Sequence, residues 1–221
     1  MTFSSEWESI YRANKQMSIW PWSDLISYVK RYMPEIDEKY YVLELGCGAG
    51  ANISFFQHLN VEYYATEGSI HIVNYLINKF PSLSDKIKLA DFTEEIPFEL
   101  SYDLIFDRAS ITHNNTKAIE NCISLISKHL KPGGLFIGID WFSTSHTEFS
   151  KGIFTGDLNT KDDFPDGQFH QVGQVHFSDN MHIQELFKEF EFIKLEHKII
   201  KQEFPETDYQ FASWNFAVKK I

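Results

Sequence analysis

Three glycines at alternate positions, Gly46, Gly48 and Gly50, separate an apolar run, residues 40–45, from a periodic apolar segment, residues 53–59. The run predicts a buried strand and the segment a helix. Strand, glycine turn and helix together form a place where backbone can approach a ligand. Glycine tolerates positive φ and has no Cβ to obstruct. The free N–H groups at the helix start face whatever lies in the turn. Acidic residues stand at matching places nearby. Glu44 lies two residues before Gly46, where an acid suits a ligand ammonium group and is costly in a buried strand without a partner. Glu67 closes the next predicted strand, at about the interval after the glycine turn that a ribose-binding acid occupies. Its carboxylate is positioned to accept hydrogen bonds from ribose hydroxyls; the plainer alternative is a helix N-terminal acid favoured by the macrodipole. Asp91-Phe92 follows a third strand. Asp91 can take an exocyclic amine and Phe92 can flank a purine, the alternative being an ordinary loop aspartate. Asp107-Arg108 ends a fourth strand. Arg108 suits an acidic acceptor or pairs with a neighbouring carboxylate.

The elements that must position these residues alternate. Strands are expected at 40–45, 61–66, 87–90, 102–107 and 135–139, with helices at about 51–59, after Glu67 up to Pro81, and at 115–129. Lys131-Pro132-Gly133-Gly134 reads as a turn. Repeated strand–helix units imply a parallel sheet covered on both faces. In such sheets ligands bind beyond the carboxyl ends of the strands. Residues 3–33 read as two helical pieces, the second capped by Ser23-Asp24. Between them lies an aromatic corner, Ile19-Trp20-Pro21-Trp22, that either packs on the domain or covers a ligand. Residues 142–177 are rich in Ser, Thr, Asp and Gly but carry Phe149, Phe154, Phe164 and Phe169, too many aromatics for a disordered linker. An ordered lid of irregular structure is expected there. A helix carrying Ile183, Leu186, Phe187 and Phe190 follows, and two strand-like runs, 192–200 and 209–218, close the chain as an antiparallel edge. One domain, residues 1–221, accounts for all of this.

The 221 residues are 43% hydrophobic and 16% aromatic, enough for a sizeable core. The formal net charge of -11 leaves no basic footprint for nucleic acid. Two cysteines, Cys47 and Cys122, make no disulfide framework and read as reduced thiols. The N-terminus shows no signal-peptide pattern, and no apolar run spans a bilayer. The expectation is a cytoplasmic protein, monomer or homodimer, with a small-molecule substrate, no nucleic acid and no membrane.

Gly46-Cys47-Gly48-Ala49-Gly50-Ala51 also satisfies the dinucleotide pattern of nicotinamide enzymes, so an NAD(P)-dependent oxidoreductase is a competitor. Glu44, the third glycine at alternate spacing and the Asp91-Phe92 pair tell against it. With these residues, and with 102–107 and Leu130-Lys131-Pro132-Gly133-Gly134, the sequence resembles the class I S-adenosylmethionine-dependent methyltransferases of the small-molecule type. The resemblance covers roughly residues 40–140. It implies a Rossmann-like, doubly wound α/β fold: a mostly parallel seven-stranded sheet with an antiparallel strand near the C-terminus, N-terminal helices and a lid-like insertion.

The resemblance further implies that Gly46, Cys47, Gly48 and Gly50 lie along the methionine part and ribose of S-adenosyl-L-methionine. Glu67 would hold the ribose and Asp91-Phe92 the adenine. Asp107, Arg108, Ala109 and Ser110 would line the reaction centre. An N-terminal cover would bring in Tyr11, Trp20 and Trp22. Methyl transfer is a direct displacement that rewards alignment, and a general base matters only where the acceptor loses a proton. His113, shortly after the fourth strand, is the first candidate. His170 and His176 on the expected lid follow, although a lone histidine is more often a surface or core residue. The six-residue spacing from His176 to His182 matches no zinc signature, so no metal is expected. A cofactor-binding protein without catalysis, acting as a partner, is the remaining alternative.

Overall fold

The computed structural model describes residues 5–221, without the side chain of Ser5. The expected helix start at residue 3 lies outside this range. The main strands are β1 (Tyr41–Leu45), β2 (Glu62–Glu67), β3 (Ile87–Leu89), β4 (Tyr102–Arg108) and β5 (Leu130–Phe142). Three short strands follow, β6 (Ile153–Phe154), β7 (Thr160–Asp162) and β8 (Val175–His176), then β9 (Phe190–Lys201) and β10 (Gln210–Lys220). The helices are α1 (Ser5–Arg12), α2 (Ser23–Tyr32), α3 (Ile53–His58), α4 (Ile70–Lys79), α5 (Thr116–His129) and α6 (Asn180–Leu186).

Seven strands form one sheet in the order β3-β2-β1-β4-β5-β10-β9. The first five are parallel, and β10 runs antiparallel to both β5 and β9. Strand order reverses between β1 and β4, which is where open α/β sheets leave a crevice. Alternation along the strands feeds both faces. Val42, Leu104 and Phe106 join Leu25, Phe56 and Leu76 in one apolar cluster. Leu43, Ile105 and Phe136 join Ile119, Ile126 and Phe187 in another. Phe56, Phe106, Phe136 and Trp141 are fully buried. Leaving water stabilises each by roughly 1.5–3 kcal/mol.

Local signals account for several boundaries. Ser69, Asn115 and Asp179 cap α4, α5 and α6 by accepting the N–H of Ile72, Ala118 and His182. At α2 the expected cap fails. The helix already begins at Ser23, so Trp22 occupies the N-cap position without a side-chain hydrogen bond, and Asp24 accepts from Lys198 and Asn215 instead. The expected turn at 131–134 is taken into β5. Tyr102 pairs with Leu130 and Leu104 already pairs with Leu135, so the glycines form a bulge within a paired strand. Residues 142–177 are more regular than expected. β6, β7 and β8 form a small antiparallel sheet beside a third apolar cluster of Phe142, Phe164, Phe169, Val172, Val175 and Phe177. Of the aromatics that argued against a linker, Phe164 and Phe169 belong to that cluster and Phe149 packs against it, while Phe154 is exposed.

Candidate cofactor and acceptor site

A cavity of about 420 Å³ opens beyond the carboxyl ends of β1, β2 and β4, closed over by α1 and the segment carrying Phe169. The glycine turn forms its floor. The N–H groups of Gly46 and Cys47 both donate to the Thr66 carbonyl, at 3.0 and 3.1 Å, which ties the turn to β2. Gly46 has φ +66°, and a Cβ there would fall 2.5 Å from both Cβ and Oγ of Ser110. Glycine is therefore needed twice over, for its conformation and for the close approach of the loop after β4. A Cβ on Gly48 would meet the Tyr11 hydroxyl at 3.1 Å, so the turn leaves a cradle with Tyr11 above it.

Three acids line the cavity, each held differently. Glu44 is buried in β1 and takes hydrogen bonds from Asn52 Nδ2 at 2.8 Å and from the Tyr63 hydroxyl. Both donors are neutral, and burial pushes its pKa up to about 7. Glu67 accepts the N–H of Gly48 at 2.8 Å on one oxygen and of Ser69 at 2.9 Å on the other. Burial still raises its pKa, those N–H groups opposing. Asp91 uses Oδ1 to accept from the Thr93 N–H and hydroxyl, at 3.0 and 2.6 Å. Phe92 stands beside Gly46.

The other end of the cavity is aromatic. Trp7, Phe142, Phe169 and Val172 wall it, with His113, Asn114 and Gln168 as its polar groups. The His113 ring meets Trp7 edge-on at 4.8 Å between centroids, Phe142 at 6.0 Å and Phe169 at 6.4 Å. Burial lowers the His113 pKa to about 4, the Gln174 backbone opposing, so the imidazole is neutral at pH 7. Arg108 lines the cavity with its guanidinium 3.7 Å from the Trp22 ring centroid and Nη2 3.0 Å from Asp140.

The structure thus brings Tyr11, Glu44, Gly46, Cys47, Gly48, Glu67, Asp91, Phe92, Arg108 and His113 around one space. It places five candidates elsewhere. Trp20 is 78% exposed, and Trp22 faces the cavity in its stead. Gly50 packs under α4, where a Cβ would meet Leu76 at 2.7 Å and Ile53 at 2.9 Å. Asp107 lies beneath the cavity floor, accepting from Trp141 Nε1 at 2.7 Å and from the N–H groups of Ser110 and Ile111. Burial raises its pKa to about 6. His176 is fully buried in β8, 3.2 Å from the Thr160 hydroxyl and with the tilted His182 ring 5.1 Å away between centroids, outside the cavity lining. His170 is held by the Phe164 carbonyl at 2.8 Å and also stays outside the lining.

Asn52, Tyr63, Phe142 and Gln168 escaped the sequence reading. Asn52, directly after the glycine turn, carried a positional signal. The other three reach the site only through sheet pairing and the packing of the third cluster.

Residues 42–134 match the family described as "Methyltransferase domain". Those residues are therefore similar to methyltransferase domains, and the sheet order is the Rossmann-like one shared with S-adenosylmethionine-dependent methyltransferase structures. It is 32% identical over 133 residues to "O-methyltransferase 3" of Dictyostelium discoideum, covering 51% of this chain and 29% of that one. It is 33% identical over 131 residues to "Sterol 24-C-methyltransferase" of Pneumocystis carinii, covering 52% and 34%. The matches thus span about a third of the length of these curated relatives. An S-adenosylmethionine-dependent methyltransferase from Clostridium acetobutylicum superposes with a TM-score of 0.64 at 17% identity, over 97% of this chain and 96% of that one. The cavity fits the family's cofactor on its own features: a buried acid held only by neutral donors, a glycine cradle, and an arginine whose buried Nε lacks a partner.

Proposed function

We propose that the chain transfers a methyl group from S-adenosylmethionine to oxygen or nitrogen of a small acceptor, a metabolite or an activated sugar. The observation that carries this reading is the single cavity in which Glu44, Glu67 and Asp91-Phe92 face one end while His113 and aromatic walls form the other. We further infer a cytoplasmic enzyme, working as monomer or homodimer and without nucleic acid.

The cofactor supplies an electrophilic methyl group: as the acceptor atom bonds to that carbon, the C–S bond breaks and its electron pair stays on sulfur. The chain's task is alignment and dehydration. Glu67, both oxygens already pinned by backbone N–H groups, is rigid enough to receive two ribose hydroxyls. Asp91 takes the adenine amine and Phe92 lies against its ring. Glu44 takes the ammonium of the methionyl tail. Trp7, Phe142 and Phe169 hold the acceptor and exclude water. His113 is neutral and accepts the acceptor's proton, which becomes strongly acidic as the new bond to oxygen or nitrogen forms.

Calorimetry with S-adenosylhomocysteine tests the cofactor reading. Binding is expected, weakened about 10- to 100-fold in Glu67→Ala, the worth of roughly 1.5–3 kcal/mol for a hydrogen bond to a charged group. No heat at millimolar ligand would sink the reading, and preference for NADH would favour an oxidoreductase.

A further inference from the structure

The cavity's charges are unevenly distributed. Three acids line it, Glu44, Glu67 and Asp91, and among the described residues Arg108 is the sole Lys or Arg in its wall. Arg108 shares a sheet face with Glu44. Glu44 pairs across to Phe106 on β4, and residues two apart on a strand point the same way. A short chain of contacts joins the two. Asn52 donates through Nδ2 to Glu44 at 2.8 Å and accepts the Trp22 N–H through Oδ1 at 3.3 Å. The Trp22 ring in turn lies against the Arg108 guanidinium, 3.7 Å from centroid to Cζ. An α-amino acid carries its ammonium and carboxylate on one carbon, so a site that takes the first must satisfy the second close by.

The guanidinium has a donor to spare. Nη2 is spent on Asp140 at 3.0 Å, while Nε is buried and without a hydrogen-bond partner. Asp140 does not fully absorb Arg108, because its other oxygen lies 3.1 Å from both Lys198 Nζ and Ser213 Oγ. Lys198 also reaches Asp24 at 2.7 Å. Two cations, Arg108 and Lys198, therefore face two carboxylates, Asp24 and Asp140. This cluster is close to neutral, so it is a poor trap for a lone anion such as a phosphate on an acceptor. It suits a carboxylate that arrives together with an ammonium for Glu44, because the pair leaves the site's total charge unchanged.

We propose that Arg108, held flat on Trp22, binds the carboxylate of the cofactor's methionyl tail through the guanidinium N–H groups it does not spend on Asp140. The assignment rests on the methyltransferase reading. It makes Arg108 a cofactor-binding residue, and an acidic acceptor is not what it recognises.

Calorimetry with two ligands separates the roles: S-adenosylhomocysteine and its decarboxylated analogue, which keeps nucleoside and amine. The wild-type chain is expected to prefer S-adenosylhomocysteine about 10- to 100-fold, the range for a charge-assisted hydrogen bond. Arg108→Gln is expected to lose that preference while binding the analogue within about twofold of wild type, which also shows the variant to be folded. Arg108→Lys, with charge but no planar fork, is expected to keep part of the preference. Equal loss of both ligands in both variants overturns the proposal, as does an unchanged preference in Arg108→Gln. A wild-type chain that binds S-adenosylhomocysteine and the analogue equally also overturns it, with the methyltransferase reading intact. Binding of neither ligand by wild type removes that reading instead.

Discussion

The two ends of the cavity are built by different parts of the chain and carry opposite electrostatic strain. At the β1–β2 end, residues on or just after strands hold buried acids. Burial raises the pKa of Glu44 to about 7 and that of Glu67 as well, and that of Asp107 beneath the floor to about 6. At the aromatic end, and in the segment behind it, three histidines are held in the opposite sense. Burial lowers His113 and His146 to about 4 and His176 to about 3. The acids lie where strand geometry and backbone N–H groups fix them. The histidines lie among rings, in segments added around the sheet. One half is shaped to meet positive charge, as a cationic cofactor requires, and the histidines of the other are kept neutral.

The largest effect is expected from Gly46→Ala, which attacks the first half alone. The new Cβ would fall 2.5 Å from Ser110 at a positive φ. Strain and overpacking together cost about 2–5 kcal/mol. Urea unfolding should show that loss, and calorimetry should show S-adenosylhomocysteine binding abolished. A variant with wild-type stability and affinity would mean that the turn can move away from the loop after β4, so the floor would not be rigid.

Acid should separate the halves next. A histidine whose folded pKa is lowered contributes stability above its unfolded pKa of about 6.5 and loses it as pH falls toward the folded value. For His176, fully buried with a pKa of about 3, the loss at pH 5 is about 2 kcal/mol. His113 and His146 act in the same direction. The raised acids act oppositely. Their folded pKa lies above the unfolded value, so the strain they impose is relieved as pH falls from 7 to 5. Hydrogen exchange, corrected for intrinsic rates, should show β7 and β8 losing protection between pH 7.5 and pH 5 relative to β1 and β4. His176→Gln should reduce that loss. Equal loss in all four strands would erase the distinction between the halves.

How much of this was legible follows the same division. The parallel strands announced themselves by apolar runs between helical periods, and the antiparallel edge by two late alternating runs. Glu44, Glu67 and Asp91 were found because a strand's end fixes where its next residue goes. The aromatic half was not legible to the same degree. Trp20 and Trp22 are two apart in sequence, and no local pattern says which one turns inward; the Asn52 side chain decides it by holding the Trp22 N–H. His176 looked like a lid residue, but pairing of β7 with β8 turns it into a closed interior beside Thr160. Phe142 and Phe169 meet across 27 residues, at 4.6 Å between centroids. That contact depends on β5 running on to residue 142 instead of stopping at 139, where Asp140 interrupts the apolar run.

The smallest expected effect concerns the first half by itself. Glu44 in the free protein has a pKa of about 7 because burial outweighs its bonds to Tyr63 and Asn52. A ligand ammonium requires the carboxylate, so affinity for S-adenosylhomocysteine should rise as pH increases through 7. Between pH 6 and pH 7 the ionised fraction of Glu44 rises from about 0.1 to about 0.5, a gain of about fivefold. An ordinary α-amino group has a pKa near 7.7–8.0, so by pH 8 about half of the ligand's amine has lost its proton and affinity passes through a maximum between pH 7 and pH 8. The decarboxylated analogue keeps an amine, so it should retain the rise below pH 7. Glu44→Gln should flatten it for both ligands and bind more weakly at pH 8. A flat profile in the wild-type chain would mean that Glu44 is already ionised at pH 6 or does not meet the ammonium. The acid half would then owe its form to Tyr63 and Asn52 and not to the cofactor.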